Sequence, residues 1–380
     1  MIHRELSKKI EELLDKYPIT AITGPRQSGK TTLSRVIKPD YKYVNLENLS
    51  DREFAKTDPL GFLKTYKNGA IIDEIQNVPE LFSYLQVVTD QRKINGEYII
   101  TGSQNFLMME QISQSLAGRV SLFTLLPFSI RELQNTPHTA EKWEEYALSG
   151  FYPRKIVQEI PAADYYDNYI KTYVERDVRL LKNISNLDLF QKFIQLLAGR
   201  VGQLYNQSSL GNELGIDNKT VNSWLTVLET SFIAFRLKPY HTNFNKRIVK
   251  TPKVYFYDIG ILCYLLGIRS IQDLDLHFAK GSIFENLVIS EMHKNTLNTG
   301  SKTKFYFWRD TSGNEVDLIT ETGLQLDAFE IKSGKTIQPN YFKKLDYFKN
   351  LNENASLHLV YGGNQTQSRT KYEIKTVMNL

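Results

Sequence analysis

Gly24-Pro25-Arg26-Gln27-Ser28-Gly29-Lys30-Thr31 fits the Walker A pattern GxxxxGK[ST] without a mismatch. In such a loop the glycines let backbone N–H groups close around phosphate oxygens. The lysine reaches the terminal phosphates, and the hydroxyl after it ligates Mg²⁺. These roles fall on Gly24, Gly29, Lys30 and Thr31. Pro25, Arg26, Gln27 and Ser28 complete the loop, and Thr32 continues into a helix over residues 32–37. The cofactors expected from this motif are ATP and Mg²⁺.

Two downstream strings can finish such a site. Ala70-Ile71-Ile72-Asp73-Glu74 reads as an apolar strand ending in two carboxylates. Asp73 is expected to hold the Mg²⁺ shell, and Glu74 to orient and polarise the attacking water. A strand over residues 98–101 ends at Thr101-Gly102-Ser103-Gln104. Ligands sit at the C-terminal ends of parallel strands, so Thr101, Ser103 or Gln104 can meet the terminal phosphate or the water. A plain Thr-Gly-Ser turn accounts for the same residues.

A third constellation lies near the C-terminus. Glu285 sits in a helical pattern, Asp317 in one strand, and Glu330 and Lys332 in the next. Residues two apart on a strand share a face, so Glu330 and Lys332 point together, and Asp317 on a paired strand can join them. Order and content resemble the PD-(D/E)XK nuclease-like core. That resemblance implies carboxylates Glu285, Asp317 and Glu330 on a metal ion, with Lys332 positioning water for attack on a phosphodiester. Solvated charge pairs on surface strands give the same strings.

Between these regions, residues 208–225 have a helix-turn-helix shape. Leu210 and Leu214 face inward, Gly215 turns, Asp217 or Asn218 caps, and Val221, Trp224 and Leu225 bury the second helix. Its open side would show Asn218, Lys219, Asn222 and Ser223. Residues 232–239 and 253–257 read as strands of a wing, with His241, Lys246, Arg247 and Lys250 between them. Such a unit contacts DNA through its second helix and phosphates through its wing, or serves as a lid or partner surface.

The elements that carry these residues follow from periodicity. An amphipathic helix opens the chain over residues 2–14. Apolar runs at 19–23, 41–46, 70–72, 98–101 and 120–126 alternate with helical stretches, which implies a parallel sheet with helices on both faces. Residues 141–237 are mostly helical in pattern, with Tyr165, Tyr169 and Tyr173 at helical spacing. From residue 278 a helix leads into strands at 305–308, 315–320, 324–331 and 357–361.

The strings GPRQSGKTT, AIIDEIQNVP, ITGSQNF and SLAGRVSLFTLLPFSIREL together resemble the AAA-type ATPase domain of a widespread prokaryotic family. That family pairs the domain with a C-terminal region of unknown function, and the similarity extends to YVERDVRLL and TPKVYFYDIGILCYLL. It implies an arginine finger that completes a neighbour's site and therefore a homo-oligomer. Arg119 and Arg176 are the candidates, and a salt-bridged arginine is the alternative for each.

The fold class expected is α/β: a P-loop AAA-type parallel-sheet domain over 1–160, a helical winged-helix domain over 161–270, and an α/β restriction-endonuclease-like domain over 271–380. With 41% hydrophobic and 23% charged residues, the 380-residue chain has ordinary globular usage. A single cysteine, Cys263, excludes an intramolecular disulfide framework, fits a reducing cytoplasm and reads as a core residue. No run is long enough to span a bilayer, and the charged N-terminus lacks the apolar centre of a signal peptide. A net charge of +5 is only mildly basic. Two functions stay open. One is an ATP-hydrolysing protein that acts on or is regulated by DNA, with or without metal-dependent cleavage. The other is an ATP-dependent switch working through protein contacts, its nuclease-like domain catalytically silent.

Overall fold

Short aliphatic and β-branched runs become the strands of a parallel sheet. β1 (Ile19–Thr23), β2 (Lys42–Asn45), β3 (Ala70–Asp73), β4 (Tyr98–Gly102) and β5 (Val120–Thr124) lie in the order β2-β3-β4-β1-β5, every neighbouring pair parallel. The computed structural model describes residues 2–103, 105–174, 186–240 and 249–380, and for residues 105–107, 173 and 174 the backbone alone.

Successive strand residues feed opposite faces, as the period of two requires. Ile22, Ile71 and Ile99 join Leu6, Ile10 and Leu14 of α1 (Leu6–Leu14) and Leu33 of α2 (Lys30–Ile37) in one core. Ala21, Ala70, Ile72 and Ile100 point the other way. They meet Phe62 and Leu63 of α4 (Pro59–Thr65) and Leu81, Phe82 and Leu85 of α5 (Leu81–Arg92). Burial on both faces explains the nearly continuous apolar runs. Each buried Leu, Ile or Phe contributes about 1.5–3 kcal/mol. Between β2 and α4, α3 (Leu49–Thr57) starts at Asn48, whose side chain accepts from Ser50 N. α4 starts at Asp58, which accepts from Gly61 N, with Pro59 in the first turn. α6 (Asn105–Ser115) joins β4 to β5.

The chain divides into two compact units, Met1–Phe128 with Thr230–Phe232 and Leu297–Gly300, and the remainder. In the second unit short helices, among them Ala162–Tyr169 with buried Tyr165 and Tyr169, precede α7 (Leu187–Ala198). α8 (Gln207–Leu214) stops at Gly215 in the left-handed region at φ 68°. α9 (Asn218–Thr230) is capped by Asp217, which accepts from the backbones of Lys219 and Thr220. β6 (Ala234–Pro239) and β7 (Lys253–Phe256) pair antiparallel after it.

α10 (Lys280–Thr299) leads into antiparallel β8 (Lys304–Arg309), β9 (Glu315–Thr322) and β10 (Gln325–Lys332). After α11 (Lys343–Leu351), β11 (Ser356–Tyr361) runs parallel to β10. β12 (Gln367–Ser368) and β13 (Glu373–Thr376), not anticipated from the sequence, complete an eight-stranded sheet ordered β12-β13-β11-β10-β9-β8-β6-β7. Where the sequence suggested a boundary at residue 270, that sheet continues, because the free edge of β6 pairs in parallel with β8. Cys263 is buried, and burial pushes its thiol up, away from the reactive thiolate. Among the described residues no helix is long and apolar enough to cross a membrane.

Candidate functional site

The C-terminal ends of β1, β3 and β4 gather the polar residues of the first unit. Gly24 follows β1 at φ 146°, and a Cβ there would lie 2.1 Å from the Leu125 carbonyl oxygen, so only glycine fits. Gln27 at φ 61° and Gly29 at φ 94° wind the loop back into α2. Ser28 Oγ is buried and, among the described residues, has no hydrogen-bond partner. Lys30 is buried and donates from Nζ to the carbonyls of Gly24 at 3.0 Å and Pro25 at 2.8 Å. Its charge thus lies across the loop mouth. Arg26 Nη1 stands 3.7 Å from Glu47 Oε1. Thr31 is half-buried and Thr32 exposed.

The carboxylate of Asp73 is the hub of this group. Its Oδ2 accepts from Thr31 Oγ1 at 2.6 Å and from the Tyr43 hydroxyl at 2.9 Å. Its Oδ1 accepts from Thr101 Oγ1. Burial, and then the Asp73 charge, push the Tyr43 phenol up, so it remains a donor. Glu74 takes the left-handed conformation at φ 54°, unusual for a glutamate and a form of strain concentrated at working sites. Its Oε2 accepts from Ser103 Oγ at 2.9 Å and from Gln76 Nε2. Thr31 and Asp73 present adjacent hard oxygens of the kind Mg²⁺ selects, so the donor set fits that ion.

Tyr43 carried no motif, and Gln76, although inside the AIIDEIQNVP string, was not among the expected site residues. Tyr43 lies in β2 just before Asn45, the register partner of Asp73, and only the strand pairing brings it there. Arg119 is not brought to the loop. It precedes β5 at the N-terminal edge of the strands, where its carbonyl accepts from Ile19 N and its guanidinium grips both oxygens of Asp90, at 2.6 and 2.8 Å. Gln104, Arg176, His241, Lys246 and Arg247 lie outside the described residues.

In the second unit, Asp317, Glu330 and Lys332 come together. Lys332 Nζ is 3.2 Å from Asp317 Oδ2 and 2.6 Å from Glu330 Oε1, and Ile331 N donates to Asp317 Oδ2 at 2.8 Å. Burial opposes ionisation of Asp317, but Lys332 and Lys253 outweigh it and hold that carboxyl below the usual range. Burial, then the Asp317 charge, push Glu330 up to about 7. Glu285 is near enough for the Asp317 charge to act on it, but its direct contacts are with other groups. Lys253 from β7, only 2% exposed, lies 3.2 Å from Glu285 Oε1 and 2.7 Å from Glu315 Oε1, and the Tyr255 hydroxyl also donates to Glu285. Among the described residues no three Asp, Glu, His or Cys side chains gather as a metal-holding group. The ammonium groups of Lys253 and Lys332 already neutralise Glu285, Asp317 and Glu330, so as placed these carboxylates do not call for a resident Mg²⁺.

On α9, Asn218, Lys219 and Asn222 are exposed and Ser223 is half-buried. Arg236 of β6 donates to Asn222 Oδ1 at 3.1 Å and pairs with Glu229. A cleft of about 830 Å³ lies beside it, with Lys238, Lys250, Tyr240, Tyr306, Pro239 and Pro252 in its wall. Glu229 and Glu321 also line it, each already paired, with Arg236 and Lys304.

Residues 16–134 match a family described as an AAA domain, residues 140–272 a domain of unknown function (DUF8612), and residues 280–380 another (DUF4143). The uncharacterized protein MJ1637 of Methanocaldococcus jannaschii is 32% identical over 339 residues, covering 74% of this chain and 70% of its own length. The uncharacterized protein Rv2008c of Mycobacterium tuberculosis is 29% identical over 337 residues, covering 88% and 74%. Among solved structures, the Walker-type ATPase PABY2304 of Pyrococcus abyssi aligns with a TM-score of 0.45 at 16% identity, covering 70% of this chain and 96% of that one.

Proposed function

The chain belongs to the family of the M. jannaschii protein MJ1637 and carries an AAA domain over residues 16–134, and from that premise we propose that it binds and hydrolyses ATP, using the hydrolysis cycle to switch its second unit. The observation that carries this is the 2.6 Å contact between Thr31 and Asp73, with Lys30 and Glu74 on either side. Lys30 leaves the Gly24 and Pro25 carbonyls for the β- and γ-phosphates, and the N–H groups of the Gly24–Thr32 loop donate to their oxygens. Thr31 and Asp73 would hold Mg²⁺, which would supply neutralisation of the phosphate charge. Glu74 accepts a proton from the attacking water, and Ser103 and Thr101 hold the two carboxylates in place. Arg119, on the opposite strand edge, serves a neighbouring protomer as the charge-stabilising arginine.

The α8–α9 pair followed by β6 and β7 supports a winged-helix reading of the middle region. The order helix, three antiparallel strands, helix and parallel strand supports a restriction-endonuclease-like reading of residues 271–380. DNA is the partner proposed for the cleft beside α9, where Lys238 and Lys250 offer cations to phosphates over a wall of tyrosine and proline. The Lys253 pairs with Glu285 and Glu315 favour a domain that binds without cutting, which is the silent-domain reading.

Steady-state ATP turnover, with and without duplex and branched DNA, tests both parts. Turnover lost in Lys30→Ala supports the site. DNA stimulation that disappears in a Lys238→Glu, Lys250→Glu variant supports the partner. Turnover indifferent to every DNA transfers the role to protein contacts.

A further inference from the structure

We propose that Arg4 is the positioning residue of the phosphate loop, an inference that rests on the nucleotide site above. Arg4 stands just ahead of α1, in a stretch that matches no motif. Arg4 as a whole is 8% exposed. It donates from Nη1 to the Ser28 carbonyl at 2.7 Å and from Nη2 to the Leu126 carbonyl at 2.6 Å, and its Cζ lies 4.8 Å from the centre of the Phe128 ring. One planar fork thus ties the phosphate loop to the segment that follows β5.

The consequence follows from peptide geometry. Among the described residues no peptide bond is cis. In a trans peptide the C=O and N–H point in opposite directions. The Ser28 carbonyl and the Gly29 N–H share one peptide unit, so drawing the oxygen toward Arg4 turns the N–H away from it, free to donate to a phosphate. Gly29 at φ 94° lets the chain turn directly after that unit. The same post-β5 segment also meets the loop's other end, since a Cβ on Gly24 would strike the Leu125 carbonyl. The loop is therefore held at Gly24 by close contact and at Ser28 through Arg4. Lysine does not reproduce this fork, because it has one nitrogen on a flexible stem and lacks the two separate coplanar nitrogens that reach the Ser28 and Leu126 carbonyls.

Backbone donors in the loop bind phosphate in the ground state and the transition state alike. Misorienting one of them weakens affinity and leaves the chemical step nearly intact. The test is titration of the full chain with a fluorescent ATP analogue, beside steady-state turnover, for wild type, Arg4→Ala and Arg4→Lys. Expected is a rise of about tenfold or more in Kd and KM for both variants, with kcat within about threefold. Methylguanidinium should restore affinity to Arg4→Ala and leave Lys30→Ala unchanged. Should Arg4→Ala not fold, Arg4→Lys carries the same comparison. Wild type that binds nucleotide while the variants bind it equally well overturns the role of Arg4 alone. So does a fall in kcat at unchanged Kd. Wild type that binds no nucleotide overturns the site itself and this proposal with it.

Discussion

Thr31 Oγ1 donates a 2.6 Å hydrogen bond to Asp73 Oδ2 across 42 residues of sequence. The loop hydroxyl and the strand-end carboxylate therefore share one point in space, and that point is where a hard cation would bridge protein to phosphate. Thr31→Val and Asp73→Asn should each raise the Mg²⁺ concentration needed for half-maximal turnover by about tenfold or more, because each removes one oxygen of the set. A Mg²⁺ titration at saturating ATP measures this, and unchanged half-saturation in both would remove them from the metal shell.

Glu74 and Lys30 are expected to separate binding from chemistry. Glu74→Gln keeps the loop and should bind ATP normally while turnover falls by about 10²-fold or more, since a general base contributes on that scale. Lys30→Ala should lose affinity as well. Equilibrium binding beside single-turnover hydrolysis distinguishes them, and full turnover in Glu74→Gln would assign the water to another residue.

Arg119 is held by Asp90 at the strand edge away from the loop, so the proposed role in hydrolysis requires a neighbouring protomer. Arg119→Ala alone and Lys30→Ala alone should both be inactive. Mixing them should restore turnover at sites that pair an intact loop with an intact arginine. No recovery on mixing, with assembly verified by light scattering, would leave Arg119 as half of a salt bridge.

Lys253 neutralises Glu285 and Glu315 from a buried position. Burial opposes its charge, but the surrounding carboxylates outweigh that and raise its pKa. Lys253→Met leaves Glu285 to the Tyr255 hydroxyl and Glu315 to Arg309, and the loss of the shared ammonium should destabilise the second unit by about 3 kcal/mol. Chelators should leave the wild-type melting temperature unchanged, because the charge balance is internal. A chelator-induced drop would show that a metal ion shares the cluster.

His293 packs against Phe235, Tyr257 and Phe305, with ring centres 5.5, 5.7 and 5.4 Å away. Burial lowers its pKa to about 4. The unfolded chain takes up this proton first as pH falls, so the contribution is whole above about 6.5 and is lost as pH drops through 4. The loss is at most about 3 kcal/mol, an upper limit because the ring keeps some solvent contact. Urea unfolding at pH 7.5 and 4.5 should show wild type losing more stability than His293→Phe. Equal losses would mean that the ring is protonated within the fold.

Strand and helix positions were legible wherever one short run carried the whole signal. β1, β3 and β4 were placed to within about a residue, since strands buried on both faces have no polar alternation to confuse the pattern. Asp217 was legible as a cap because capping is local. The short β12 and β13 were not, since pairing with β11 and not composition makes them strands.

The sequence by itself determined the phosphate loop, its helix and the carboxylates at the end of β3, because loop conformation and strand ends depend on neighbours a few residues apart. Only the tertiary structure decided which groups meet them. Tyr43 reaches Asp73 through strand pairing, and Arg4 reaches Ser28 and Leu126 across 24 and 122 residues. Glu285, Asp317, Glu330 and Lys332 were all foreseen as one constellation. The fold inserts Lys253 between Glu285 and Glu315, and no pattern in residues 282–332 contains that lysine. Spacing along a chain specifies which residues share a strand face or a helix turn. Electrostatic partners in a buried cluster are chosen by sheet order and burial, which only the packed chain sets.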